Sequence, residues 1–478
     1  GNEKEFDAAF KNNIAQVQRT LLSKDLQPVD RVWVESMDSI YRNQSYSVFY
    51  SDVVNKALRT GLVVEKEAQT VLQSISLDGL PSVSVKSVSD FMRNETNLTY
   101  IEEYKQKMMI IPFTSLHIPV DLDTVKAYKY VDERNYDKVV DKIEFKLQGS
   151  LLKDDIMMLE TITHNDWKRM IQFTSPGGSA VTDALRKAGH VSMQGMVYKL
   201  TPVKFHGIEG FGYIDLPELT DNMMRNYKYG GIKNGVLVDY YTRRHTNTHR
   251  MQFYVAAKTY LDLEDRFTGQ VAQLSKQISS MEAAAVNNPA MEMQLASGKR
   301  QLAEIKADLA DLGNAKDSAA MLINKSIEEL PIGHVIEFGD KYQRNYLPGY
   351  VEILYRANAE NKDEVSSQIL DLMNGQFEYF TNLSVDEVNE AQQFISVCLR
   401  DYKELYEKIE KIAPESTAAR EMELSFNNFK TSFAKKMSEF QKAMKKDKKN
   451  KKANREKMQF FGMLISELSL EQEPMPAQ

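Results

Sequence analysis

Two stretches of the sequence gather residues that could do chemistry. The segment from Tyr240 to Tyr254 holds Arg243, Arg244, His245, Thr246, Asn247, Thr248, His249 and Arg250. A β-prone run, Val236 to Tyr241, leads into it from the turn signal Asn234-Gly235. If Thr246-Asn247-Thr248 forms the loop of a β-hairpin, His245 and His249 face one another across it. Two facing imidazoles could share a metal ion, or hold an anion or partner beside the three arginines. The guanidinium charges oppose a divalent cation, and no acidic third ligand lies in the segment. A solvated polar hairpin tip is the plain alternative.

The second stretch is charged rather than catalytic. Residues 442–457 hold nine cations, among them Lys445, Lys446, Lys448, Lys449, Lys451 and Lys452, against Asp447 and Glu456, a net +7. Such a block suits an acidic partner, a sister subunit's acidic surface, an anionic lipid surface or nucleic acid. No aromatic residue lies inside it, which argues against stacking on single strands. A solvated connection between two helices is the competing reading, since cations are favoured at a helix C-terminus.

Other candidates resolve to structural roles. Cys398 is the only cysteine, and it falls on an apolar helical stripe, where a thiol behaves as a small hydrophobe. Pro176-Gly177-Gly178-Ser179 lacks the Lys-Ser/Thr of a phosphate loop and the surroundings of a serine elbow, so Ser179 reads as a helix cap. Gly207-Ile208-Glu209-Gly210-Phe211-Gly212 follows a strand but opens no helical pattern. Asp121/Asp123 and Asp154/Asp155 are pairs of the kind that 67 acidic residues produce without design. His117, His164, His190, His206 and His334 stand singly in different segments. No metal-protease or calcium-loop spacing occurs. No cofactor is expected, and an enzyme is the less expected class.

The whole chain sets the frame for these residues. Its 478 residues imply several domains, and 42% hydrophobic content is that of a folding chain. One cysteine excludes an internal disulfide framework and cysteine-based metal centres. No run of 18 apolar residues is present, so no membrane-spanning helix is expected. The first residue is Gly and no leader pattern follows, as expected of a processed or trimmed start. Scarce cysteine fits an exported bacterial protein or a virion protein. Five Asn-x-Ser/Thr sites, at Asn43, Asn94, Asn97, Asn324 and Asn382, arise readily by chance.

The expected fold class is α+β, helix-dominated and multidomain. Residues 1–104 read as a helical region: Phe6, Phe10, Ile14, Val17 and Leu21 line one stripe behind an Asn2 cap. A second helix covers 46–60 and stops at Gly61. Residues 105–258 with 331–360 read as an α+β domain. A buried strand is expected over Met108 to Phe113, another strand over Met196 to Leu200, and a helix over 180–188 closed by Gly189. The runs Val335 to Phe338 and Val351, Ile353, Tyr355 are expected as strands on either side of a Leu347-Pro348-Gly349 turn.

Residues 259–330 read as an inserted antiparallel coiled-coil hairpin. Phe267, Val271, Leu274, Ile278 and Met281 form one seam; Met291, Leu295, Leu302, Ile305, Leu309 and Leu312 form the other, with Gly298 in the missing place. Residues 361–478 read as a helical bundle. Val388 to Ile412 steps by threes and fours up to Pro414, and Ser416 or Thr417 caps the next helix. Met422 to Met444 and Met458 to Leu468 repeat the pattern.

Helical bundles, a coiled-coil hairpin and opposed charge blocks suit protein–protein contacts. The expected function is a non-enzymatic structural or adaptor subunit of a larger assembly, such as a bacterial envelope or secretion machine or a virion. Protein partners or self-association are expected. The alternative is a hydrolase or ligand-binding protein whose site lies near His245 and His249.

Overall fold

The computed structural model describes residues 26–42, 82–95, 98–101, 105–109, 115–147, 151–175, 177–236, 238–284, 289–333, 346–446 and 451–467, with positions 11, 14, 15, 17–19, 21 and 22. The fold is helix-dominated α+β. It divides into two compact units: Gly1–Met193 with Val197–His206 and Gly212–Ile214, and Asp215–Gln478 with Gln194–Met196 and Gly207–Phe211.

In the first unit, Ile14, Val17 and Leu21 are fully buried at helical positions, as one stripe requires. Asn2, Phe6, Phe10 and the 46–60 segment lie outside the described residues. Helices α1 (Pro28–Glu35) and α2 (Met37–Tyr41) follow. Beyond them come β1 (Val83–Ser84), α3 (Val85–Arg93), β2 (Leu98–Ile101), β3 (Gln106–Met109) and β4 (Ser115–Pro119). Next are α4 (Leu122–Ala127), β5 (Lys142–Lys146), α5 (Lys153–Asn165) and β6 (Gln172–Phe173). Helix α6 (Ala180–Lys187), β7 (Val191–Met193), β8 (Tyr198–Leu200) and β9 (Gly212–Ile214) complete the unit.

Strand β4 lies between β1, parallel to it, and β5, antiparallel. A second mixed sheet runs β6–β8–β7–β9, with the last pair parallel. Of the expected Met108–Phe113 strand, Met108 and Met109 lie in β3, which among the described residues pairs with β2 in an antiparallel ribbon, and 110–113 lie outside the described residues. Met109 is half-buried there.

Helix α6 shows how local rules position the unit's core. The Ser179 hydroxyl accepts from the Thr182 N–H at 3.1 Å, and Val181, Ala184 and Leu185 are buried. The chain leaves through Gly189 at φ 89°, with the His190 N–H returning to the Leu185 carbonyl. The core joins Val85, Leu116, Ile143, Leu159, Leu185 and Leu200. Trp167 packs edge-on against Tyr130 at 5.0 Å and donates to the Pro119 carbonyl.

Among its described residues the second unit is mostly helix. Helix α7 (Leu216–Asp221) precedes α8 (Tyr240–Ala284), α9 (Pro289–Asp311) and α10 (Ala315–Glu329). Then come α11 (Leu347–Arg356), α12 (Lys362–Asn382), α13 (Val385–Glu390), α14 (Gln392–Ile412), α15 (Thr417–Lys446) and α16 (Lys451–Glu467). Helix α8 packs on α9, α10 and α11, while α12, α14 and α15 pack together beside α11.

Three expectations change here. The β-hairpin at 236–254 is absent: Asp239 accepts from the Thr242 N–H at 2.7 Å, and helix runs unbroken from Tyr240 past the expected domain edge at 258. The break between units falls near residue 215 instead. The Val351, Ile353, Tyr355 strand is helix α11, in which eight of ten residues are buried. Burial on every side erases helical periodicity, so a short apolar run looks the same in either state. Pro348 sits in the first turn, where it costs no hydrogen bond. Residues 346–360 thus supply no strand to the α+β region, and Val335 to Phe338 lie outside the described residues.

Helices α8 and α9 do lie side by side, separated by four residues, which fixes them antiparallel. Past Phe267, Val271, Leu274, Ile278 and Met281 are partly or fully buried, while most residues between them are exposed. Glu282 pairs with Lys299 across the two at 2.6 Å. In the bundle, Ser416 rather than Thr417 caps α15, accepting from the Ala419 N–H at 3.1 Å. The continuous helix expected from Val388 breaks at Ala391 into α13 and α14.

Candidate functional site

The first turns of α8 carry the histidine and arginine cluster, and helical geometry redistributes it. His245 and His249 are one turn apart on a single helix rather than opposite across a hairpin. Arg243, Arg244 and His245 are exposed, His249 is half-buried and Arg250 is completely buried. The His249 ring lies edge-on between Tyr227, at 5.6 Å, and Tyr229, at 5.2 Å. The tyrosines are fixed in turn: Tyr227 Oη accepts from the Met196 N–H, and Tyr229 donates to the Met223 carbonyl. Burial, and then the charge of His245, lower the His249 pKa. Its Nδ1 has no hydrogen-bond partner among the described residues.

Arg250 is the residue whose role the structure settles. Its Nη2 donates to the Leu330 carbonyl at 3.0 Å and to the Pro331 carbonyl at 2.9 Å. Leu330 is the C-cap of α10, so a cation meets the negative end of that helix and satisfies its terminal carbonyls. The Arg250 backbone carbonyl accepts from the Tyr350 hydroxyl, which therefore accepts in turn from Ser326 at 2.6 Å. One residue so ties α8 to α10 and α11. Burial lowers the Arg250 pKa, and its Nε and Nη1 have no hydrogen-bond partner among the described residues. Fully buried, Arg250 acts as a clasp between helices.

The N-terminal N–H groups of α6, behind the Ser179 cap, are satisfied from within the chain. The Asp155 carboxylate, brought by α5, accepts from the Ala180 N–H at 2.7 Å and from the Leu152 N–H at 2.9 Å. Among the described residues, no three His, Cys, Asp or Glu side chains gather as metal ligands do. Cys398 is half-buried, at the edge of its helical stripe rather than at the centre.

The structure also joins residues that no sequence spacing linked. His117 on β4, Ser82 before β1 and Glu144 on β5 meet: the His117 Nδ1 lies 2.9 Å from the Ser82 carbonyl and 3.1 Å from its hydroxyl. The Ser82 hydroxyl donates to Glu144 at 2.6 Å. A carbonyl only accepts, so Nδ1 carries the proton and cannot serve as a base toward that serine. The three side chains resemble a hydrolytic triad in composition but not in hydrogen-bond direction. A second cluster forms where Arg93 pairs with Glu160, which also accepts from Ser89, with His164 beside them. Its members lie on α3 and α5, 67 or more positions apart in the cases of Glu160 and His164 from Arg93.

In the basic stretch, Lys445 and Lys446 are exposed at the end of α15, where their charge suits the helix dipole. Lys448 and Lys449 lie outside the described residues. Lys451 and Lys452 begin α16. Lys457 pairs with Asp386 of α13.

Residues 28–218 match the family model described as TMEM260-associated domain 2. The match covers less than half of the chain, and both the α8 cluster and the basic stretch lie beyond it. No curated protein and no solved structure matches. Among the described residues, no helix is long and apolar enough to cross a membrane.

Proposed function

We propose that this chain is a non-enzymatic structural or adaptor subunit of a larger protein assembly. The observation that carries the reading is the α8–α9 helix pair. Past Phe267 its apolar residues face the seam between the two helices, and the outward positions are exposed and polar with few exceptions such as Met293. A helix pair that contributes little to a larger core is a surface for contact. The description of the matching family model names association with TMEM260, a membrane-protein family name, which makes a membrane protein a candidate partner. The alternative is a hydrolase or ligand-binding protein with its site near His245 and His249, which stand one turn apart on α8.

The reading is tested with a photo-crosslinking residue placed at exposed Gln294 or Lys306 on α9, and at exposed Lys187 as a control, in the full chain in its host. A discrete, recurring protein adduct from the α9 positions supports an assembly subunit. Adducts no more frequent or discrete than those from Lys187 count against it.

A further inference from the structure

We propose that the outer face of α15 docks on the anionic headgroups of a lipid surface. The inference goes beyond the assembly reading and does not depend on it. Between Leu424 and Lys446 the sequence holds six lysines and no arginine against the single acid Glu439, a net +5. Lys435, Lys442 and Lys446 fall within an arc of about 40° on the helix and span about 17 Å along it. Buried Phe433, Met437 and Met444 lie on the opposite side of α15. All three lysines are exposed, and none makes an ion pair with a described residue. Lys430 and Lys436 are engaged elsewhere, at the Phe426 ring and the Thr381 carbonyl.

Leu424 lies on the same line, three helical turns before Lys435, and is 65% exposed. One straight face therefore offers solvent an apolar residue and a row of cations, with exposed Glu439 as the one acid beside it. A lipid surface uses both features: the ammonium groups meet headgroup phosphates, and the leucine enters the interface. The flexible lysine stems let the charges reach the headgroups while the helix lies flat. Recognition of nucleic acid favours arginine forks and stacking aromatics, and this line carries neither.

The test is flotation of the full chain with vesicles of equimolar phosphatidylcholine and phosphatidylglycerol, and with vesicles of phosphatidylcholine alone. Wild type is expected to bind the anionic vesicles, to release as salt rises, and to ignore the neutral ones. Lys435→Gln with Lys442→Gln and Lys446→Gln should weaken binding about fivefold per lysine, on the order of a hundredfold together. Leu424→Ser should weaken it severalfold with the charge unchanged. Lys153→Gln with Lys187→Gln and Lys316→Gln removes the same charge from exposed positions elsewhere, and should leave binding near wild type. Unchanged helical circular dichroism checks that the exposed substitutions leave the fold intact. A chain that fails to float with anionic vesicles at low salt, or floats equally with neutral ones, overturns the proposal. So does a loss shared equally by the two triple variants, or binding that Leu424→Ser leaves unchanged. Binding of poly(U) through the three lysines without vesicle binding overturns it as well, and assigns the face to nucleic acid. The α9 crosslinks test the assembly reading separately, so either result stands without the other.

Discussion

Single residues here are decided by what surrounds them more than by their type, and His190 shows this most clearly. It is 1% exposed, and its Nδ1 donates to the Thr201 carbonyl at 2.9 Å. Burial is the larger influence and lowers its pKa from 6.5 to about 4, against the opposing hydrogen bond. In the unfolded chain the imidazole takes up its proton near 6.5, so between those values the unfolded state binds more protons. Stability is therefore full above pH 6.5 and falls as the pH drops toward 4. From pH 7 to pH 5, this histidine alone should cost about 2 kcal/mol of unfolding free energy. Buried His117 and half-buried His249 have lowered pKa values too and act with the same sign. His190→Asn keeps a donor near the Thr201 carbonyl without a titrating group. Urea unfolding at both pH values should show the variant losing visibly less stability than wild type. An equal loss would mean that His190 does not titrate as its burial requires.

Whole elements were legible wherever one face is buried and the other wet. Helix α6 announced itself by Ser179, its buried Val181, Ala184 and Leu185, and Gly189. Helix α15 did so by its stripe from Met422 to Met444, in which Met422, Phe429, Phe433 and Met437 are buried. The misread elements are buried on several sides. In the first half of α8, Thr246, Asn247, Arg250, Gln252, Phe253 and Val255 are all buried, so the polar members disguised a core helix as a hairpin. No spacing in sequence announces that Arg250 will cap a helix 80 residues away. The polar clusters at Glu144 and Glu160 were hidden for the same reason, since their partners meet only through tertiary packing. Two glycines test the element packing in opposite directions. At Gly298 a methyl group would meet Ile278 at 3.5 Å and Met281 at 3.6 Å, which is ordinary contact. Gly298→Ala should raise stability by about 0.5–1 kcal/mol, because glycine is the poorer helix former. At Gly349 the same methyl would fall 2.4 Å from the Tyr254 ring, so Gly349→Ala should lower stability by about 1–3 kcal/mol as α8 and α11 are forced apart. Thermal unfolding of the two variants should move in opposite directions. Equal shifts would contradict the close α8–α11 contact and the open α8–α9 seam alike.

At the scale of the molecule, a net charge of −6 conceals segments of +7, over residues 442–457, and −7, over residues 360–390, and one chain divides into two compact units. The chain passes between the units repeatedly between residues 193 and 215, so sequence continuity alone does not say whether they unfold together. The protein supplies its own probes for that question. Both tryptophans belong to the first unit, Trp33 at 7% and Trp167 at 5% exposure, so tryptophan fluorescence reports that unit. Far-ultraviolet circular dichroism is dominated by the helices of the second. Arg250→Ala removes two hydrogen bonds to the end of α10 and leaves a cavity, a loss of about 2–4 kcal/mol. If each core is its own cooperative unit, the substitution lowers the dichroism midpoint and leaves the fluorescence midpoint where it was. His190→Asn should act in the reverse sense. Coincident shifts in both signals would show instead that the crossings near 193–215 bind the two cores into a single transition, and Arg250 would then clasp more than its own helices.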